Sequence, residues 1–377
     1  MNEKGEYVMK CVVALDSFKE CMTAKNACEA VKRGVHHYDE TIEVRTYPLA
    51  DGGEGTLETL VDALHGVIEY YRVTGPLGES VEAPIGYCKD LAIIECAKVC
   101  GLEMLTEEQK NPYQTTTYGL GELMKIACQK GSKRLFICLG GSATNDGGIG
   151  MLSALGVDFH FNHDVLTMND LKNIQSIDLS HLESSLKDID IVGVCDVDNP
   201  LCGVNGATYV YAKQKGLKET EFEVVDKAMA HYGELVDALF NHDYRNEAGA
   251  GAAGGLGYAL MSVCQASIRP GFQLVSETLQ LEDAMHDVDF AVVGEGRMDS
   301  QTLCGKTPFG VMSMAKKYNK SVFGFAGCIF DQDILLNNGF DRLYEISPRD
   351  MELSEALRRG EELLEKCVYE HMKEMIG

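Results

Sequence analysis

Five clusters of acids, bases and glycines punctuate this 377-residue chain, and each stands where an apolar run ends. In sheets built from α/β units, ligands collect outside the carboxyl ends of strands, so position alone makes the clusters candidates. Asp16-Ser17-Phe18-Lys19 follows the apolar run 8–15. Asp16 or Ser17 could cap a helix there, and Lys19 could pair with a phosphate or carboxylate. Asp51-Gly52-Gly53-Glu54-Gly55-Thr56 sets two acids among glycines. Backbone amides can then approach an anion while Asp51 and Glu54 hold a cation, although a tight turn remains the structural alternative. The run 135–139 enters Gly140, Gly141, Ser142, Ala143, Thr144, Asn145, Asp146, Gly147 and Gly148, followed by a helix-like stretch through 155. Strand, glycine-rich loop and helix start together make an anion site, and Asp146 can ligate Mg²⁺, which keeps several of its waters. Cys195-Asp196-Val197-Asp198-Asn199-Pro200 follows the run 189–194. A carboxylate here, Asp196 first, could accept a hydroxyl proton or bind metal, the usual tasks in phosphoryl transfer, while Asp198 capping a turn is the plainer reading. The last cluster joins Glu295, Arg297, Asp299 and Ser300 to Gly305-Lys306-Thr307. It ends like a P-loop, but Ser300 stands where the motif needs its first glycine, so it is not one. Arg297 offers a planar fork for carboxylate or phosphate, and Lys306 a point charge at a helix start.

Other signals carry less. Gly249, Gly251 and Gly254 satisfy GxGxxG, yet the segment before them, 241–247, is polar rather than strand-like. The acid that a dinucleotide site wants about 20 residues on falls near Gly271 and Phe272. Close backbone packing or a loop at a site rim accounts for these glycines better than a nicotinamide oxidoreductase does. His36, His37, His160 and His163 read as solvated or structural, and no Ser/His/Asp order emerges.

The elements that must position the clusters alternate. The run 8–15, the amphipathic stretch 24–37 and the run 43–47 read strand, helix, strand. Near the other end, 290–293, 322–326 and 342–346 read as strands, with a helix over 309–318 and another from about 354. Residues 70–95 differ in texture, and Gly75-Pro76-Leu77-Gly78 signals a hairpin rather than a crossover. The expected fold class is α/β, with a Rossmann-like three-layer domain formed by both chain ends, 1–73 and 277–377. Residues 74–276 form an inserted second α/β domain, and the active site is expected in the cleft between the two.

Composition narrows the partners. Such a length exceeds what one core usually supports. A net charge of −24 argues against nucleic acid and gives no reason to expect an anionic membrane. No apolar stretch approaches the roughly 18 residues of a membrane span, and the polar start lacks a secretory signal, so a cytoplasmic location is expected. The 14 cysteines are scattered and include no CxxC, which points to reduced thiols and no structural metal.

In order, DSFK (16–19), DGGEGT (51–56), TGPLG (74–78), TTTYGLGEL (115–123), GGSATNDGGIGML (140–152), CDVDNPL (195–201), GAGAAGGLG (249–257) and GEGRMDSQTLCGKTPFGV (294–311) resemble the bacterial glycerate kinase family over roughly residues 8–327. Glu20 stands where many relatives have glycine. The resemblance implies ATP- and Mg²⁺-dependent phosphorylation of D-glycerate, most often to 2-phosphoglycerate, with 3-phosphorylation or another small hydroxy acid as alternatives. A sugar-acid-binding sensor is the non-kinase rival. The kinase resemblance implies Asp196, Lys19 and Arg297 as catalytic, and Asp16, Ser17, Glu295 and Asp299 at the substrate. Gly140, Gly141, Ser142, Thr144, Asn145, Gly147, Gly148 and Lys306 would lie at ATP, with Asp146, Asp51 and Glu54 at the metal. Partners are then small molecules, and the oligomeric state is left open.

Overall fold

The computed structural model describes residues 7–303 and 305–377. Met1–Glu6, where the absence of a secretory signal was read, and Cys304, inside the last cluster, lie outside the described residues. The chain divides into two compact units: residues up to Asp51 together with Phe272–Gly377, and Gly52–Gly271. The sequence reading drew these crossings at 73/74 and 276/277.

The described residues hold eleven strands: β1 (Lys10–Leu15), β2 (Glu43–Thr46), β3 (Val67–Thr74), β4 (Ser80–Cys88), β5 (Leu91–Glu95), β6 (Arg134–Cys138), β7 (Asp190–Val194), β8 (Ser267–Arg269), β9 (Phe290–Met298), β10 (Ser321–Ile329) and β11 (Arg342–Glu345). The first unit carries a wholly parallel sheet in the order β11-β10-β9-β1-β2. Parallel neighbours need crossovers. The helix Ala24–Tyr38 supplies one between β1 and β2, and Thr307–Lys317 another between β9 and β10. Ala24–Tyr38 starts at Thr23, whose hydroxyl accepts from the Asn26 amide at 3.2 Å, so neither Asp16 nor Ser17 caps it. Its Ala27, Ala30, Val31 and Val35 recur at helical spacing and are buried with Cys11, Val13 and Leu15 of β1 and with Leu364 and Val368 of the closing helix Gly360–Ile376. Each valine or leucine among them contributes about 1.5–3 kcal/mol by leaving water, and each alanine less.

The second unit holds a mixed sheet in the order β3-β4-β5-β6-β7-β8. The Gly75–Gly78 turn makes β3 and β4 an antiparallel hairpin, as its composition predicts, and β5 to β8 run parallel. Buried Leu120, Leu123, Met124 and Ala127 of the helix Tyr118–Gln129 share one core with Ala92, Ile94, Leu135 and Ile137 of the sheet. Every described cysteine is a free thiol. Among the described residues no helix is long and apolar enough to cross a membrane.

Candidate functional site

In the first unit the strand order reverses between β1 and β9, which is where open parallel sheets leave a crevice at their carboxyl ends. Leu15 lies opposite Gly294, and the Asp16 amide donates to the Gly294 carbonyl at 3.0 Å, so Asp16 and Glu295 emerge side by side. Asp16 accepts from the Thr307 hydroxyl at 2.7 Å and from the Ser17 amide at 2.6 Å. Those bonds favour its ionised form, but burial, with the nearby Asp51 charge, outweighs them and pushes it up to about 7. Glu295 accepts from the Thr302 hydroxyl at 2.8 Å and faces the Lys306 ammonium at 3.8 Å. Its carboxyl is also raised, chiefly by burial, with Asp299 and Asp51 adding repulsion.

Arg297 projects from β9 with 63% of its side chain exposed, its Nε donating to Asp299 at 2.9 Å and its guanidinium 4.7 Å from the Phe330 ring centroid. One carboxylate and one aromatic face thus orient a fork that otherwise looks to solvent. Lys19 is exposed. Lys306 caps the helix Thr307–Lys317, as expected of a helix start, and Pro308 sits in its first turn. Two clusters far apart in sequence, at 16–19 and 294–307, are therefore one group.

The second unit holds the other three, apart from Asp51, which closes the first unit's N-terminal segment. Glycine permits the approach: a Cβ on Gly52 would lie 2.7 Å from Val194 Cγ1, and one on Gly140 2.9 Å from the Gly53 Cα. The loop after Asp51 is thereby laid across the carboxyl ends of β6 and β7. Asp196, exposed beyond β7, accepts from the Gly271 amide at 2.8 Å. Glu54 is exposed and 3.6 Å from Lys98.

The glycine-rich loop departs from its expected form. Only Gly140 and Gly141 are exposed; Ser142 to Gly150 are buried. The helix that follows, Ile149–Ala154, has six residues, too short for a strong dipole. Asp146 is wholly buried and accepts from the Thr117 hydroxyl at 2.7 Å, the Thr117 amide at 3.0 Å, the Gly148 amide at 3.0 Å and the Gly150 amide at 3.4 Å. Its oxygens thus tie the loop to the start of the helix Tyr118–Gln129. The 249–257 segment packs against the same loop, and the Gly147 amide donates to the Gly254 carbonyl at 2.9 Å. Gly254, at φ +70°, could not carry a side chain, since a Cβ would lie 2.1 Å from the Thr144 carbonyl oxygen.

Two residues escaped the sequence reading. Glu95 ends β5 and accepts from the Leu57 amide at 2.7 Å, while its buried second oxygen has no partner. Burial pushes it up to about 7. A lone acid closing an apolar strand was the available signal. Lys215 is buried at 3% exposure beneath the glycine-rich loop, yet Lys213-Gln214-Lys215 looks solvated in sequence, so no signal pointed to it.

The model of the glycerate kinase family matches residues 11–376. A glycerate kinase of Bacillus subtilis (strain 168) is 42% identical over 364 residues, covering 95% of each chain. The glycerate 2-kinase of Escherichia coli K12 is 40% identical over 356 residues, covering 93% of each. The crystal structure of a candidate glycerate kinase 2 from Salmonella typhimurium LT2 matches with a TM-score of 0.87 at 38% identity, covering 98% of both chains.

Proposed function

Because the chain belongs to the glycerate kinase family, we propose that it transfers the γ-phosphoryl group of ATP to a hydroxyl of D-glycerate, giving 2-phosphoglycerate. The carrying observation is the crowding at the β1/β9 reversal, where the Asp51 charge helps to raise both Asp16 and Glu295. Carboxylates that repel one another beside an oriented guanidinium suit a site that takes up cation and anion together. The Escherichia coli relative's name supports the 2-position; phosphorylation at the 3-position is the alternative outcome. The parallel sheet, with the order 2-1-3-4-5 when its strands are counted within the unit, supports a Rossmann-like three-layer arrangement for that unit.

In this reading Arg297 and Lys19 hold the glycerate carboxylate, and Asp16, Ser17, Glu295 and Asp299 order the rest of the acceptor. Asp196 orients and deprotonates the attacking hydroxyl. Gly140 and Gly141 meet the ATP phosphates directly; Ser142, Thr144, Asn145, Gly147 and Gly148 set the shape of their loop, and Lys306 adds a point charge. Among the described residues no three His, Cys, Asp or Glu side chains form a ready metal cage. That fits Mg²⁺, which is usually held by one or two carboxylates together with substrate phosphates. Asp51 and Glu54, both exposed, would hold it, and Asp146 would act behind them through its loop. When bound, the ion neutralises charge on the phosphate oxygens. Catalysis by the chain is then positioning and charge stabilisation, since a loose phosphoryl transition state asks little covalent chemistry of the protein. The substrates are small molecules, and the location is cytoplasmic.

Coupled measurement of ADP release tests this. Release should require D-glycerate, and Asp196→Asn should lower kcat about 100-fold or more. A near-normal kcat in that variant removes Asp196 as base. One observation favours a second candidate: Asp16, raised to about 7, is poised near neutral pH. If Asp16 is the base, Asp16→Asn loses turnover while Asp196→Asn keeps it.

A further inference from the structure

Lys215 ends the short 3₁₀ turn Lys213–Lys215 that follows the helix Ala207–Tyr211. Its ammonium donates to the Ser142 hydroxyl at 3.0 Å and to the Thr144 carbonyl at 2.6 Å, both on the buried side of the glycine-rich loop. The charged and titratable groups that it faces are Asp146 and the thiols of Cys96 and Cys100. The four hydrogen bonds of Asp146 go elsewhere, to Thr117, Gly148 and Gly150. The Cys96 thiol, raised well above its ordinary value with Cys100 as its partner, stays neutral. Two further loop groups, Thr144 Oγ1 and Asn145 Oδ1, are buried without partners.

A neutral donor would serve to brace a loop. A buried ammonium costs far more to desolvate, and here it leaves a positive charge against Ser142 and Thr144, in the buried part of the loop that the exposed Gly140 and Gly141 begin. We propose that Lys215 is a positioning residue for nucleotide binding: through Ser142 and Thr144 it fixes the glycine-rich loop and gives it the positive potential that a triphosphate meets. The proposal rests on the reading that this loop receives the ATP phosphates. Lys215 does not touch the nucleotide; it acts through the loop. Burial lowers its ammonium to about 8. The charge is therefore present at neutral pH and lost as pH rises through 8, and nucleotide affinity falls with it.

The test compares wild type, Lys215→Arg and Lys215→Met from pH 6.5 to 9.5. It reads KM for ATP, KM for D-glycerate and kcat, with calorimetric ATP binding in the absence of glycerate. Removing one unit charge from the wall of a phosphate site weakens binding about tenfold or more. In Lys215→Met, KM for ATP should rise by that factor at pH 7, with KM for D-glycerate unchanged. In wild type, ATP binding should weaken through pH 8, while Lys215→Arg, charged throughout, should stay level. Asp16 and Glu95 titrate near 7 in all three proteins, so the difference between the wild-type and arginine profiles isolates Lys215. Should the methionine variant fail to fold, that difference still decides. Equal ATP affinity in all variants, or superimposable profiles for wild type and Lys215→Arg, overturns the proposal even where glycerate turnover is normal. If ATP binding follows the predicted pattern but glycerate is not phosphorylated, the acceptor reading fails and the role of Lys215 stands. If wild type binds no ATP, both fall.

Discussion

Replacing Asp16 by asparagine should make the protein more stable and less active, with a pH dependence that reports why. Asp16 titrates at about 7 when folded, against an ordinary value of 3.8. A carboxyl whose folded value is raised keeps its proton longer in the native than in the unfolded state. Its contribution to stability is therefore fully present below pH 3.8 and is lost as pH climbs to about 7. A shift of some three units corresponds to about 4 kcal/mol at 1.36 kcal/mol per unit, and screening with local relaxation brings the expected loss to about 2–4 kcal/mol. Asparagine keeps an acceptor for the Ser17 amide, presents its NH₂ to the Thr307 hydroxyl, which can rotate to accept, and never ionises. The advantage of Asp16→Asn should thus be small at pH 4.5, grow to pH 7 and be constant above it. Thermal and urea melts of both proteins at half-unit steps from pH 4.5 to 8.5 would measure it. With two units, midpoints and transition widths should be compared first. Parallel curves for the two proteins across this range would mean that Asp16 ionises as an ordinary aspartate, and the crowding argument would collapse.

Three other substitutions probe the scaffold and the fork. Glu20 sits at φ +60°, in the left-handed region that disfavours side chains, so Glu20→Gly should relieve about 1 kcal/mol and raise the melting temperature, and a lowered one would contradict the strain. Gly254→Ala should destabilise by about 2 kcal/mol or more and weaken ATP binding, because the new methyl strikes the Thr144 carbonyl; wild-type melting and nucleotide affinity would refute that packing. Arg297→Lys keeps the charge but loses the fork over Phe330, so KM for D-glycerate should rise about tenfold while KM for ATP holds, and equal changes in both would remove Arg297 from the acceptor.

Much of the fold was legible because periodicity is local. Alternating apolar runs marked β1, β2, β9, β10 and β11 within a few residues, and Gly75 to Gly78 announced the β3–β4 hairpin. That β3 belongs with the second unit was not legible, because residues 43–74 continue the same strand-helix-strand rhythm on both sides of Asp51. Asp16 and Glu295 were found as acids at the ends of apolar runs, but nothing local tells that Leu15 and Gly294 are neighbours. The glycine-rich loop was legible in the sequence, but not the burial of Ser142 to Gly148: Gly147, Gly148 and Gly254 allow close packing, a use of glycine that has the same composition as an anion cradle. Lys215 is invisible for the complementary reason, since a lysine in a polar run looks solvated until the fold closes over it.

The most direct test of the account follows phosphorus by NMR in a mixture of the purified protein, ATP, Mg²⁺ and D-glycerate, with a glycerate-free control. A new phosphomonoester resonance coupled to a single proton, growing only with glycerate present and matched by ADP, is the predicted result and identifies 2-phosphoglycerate. Coupling to two protons would move the transfer to the 3-position, and ATP left intact across pH and divalent metals would contradict the kinase reading itself.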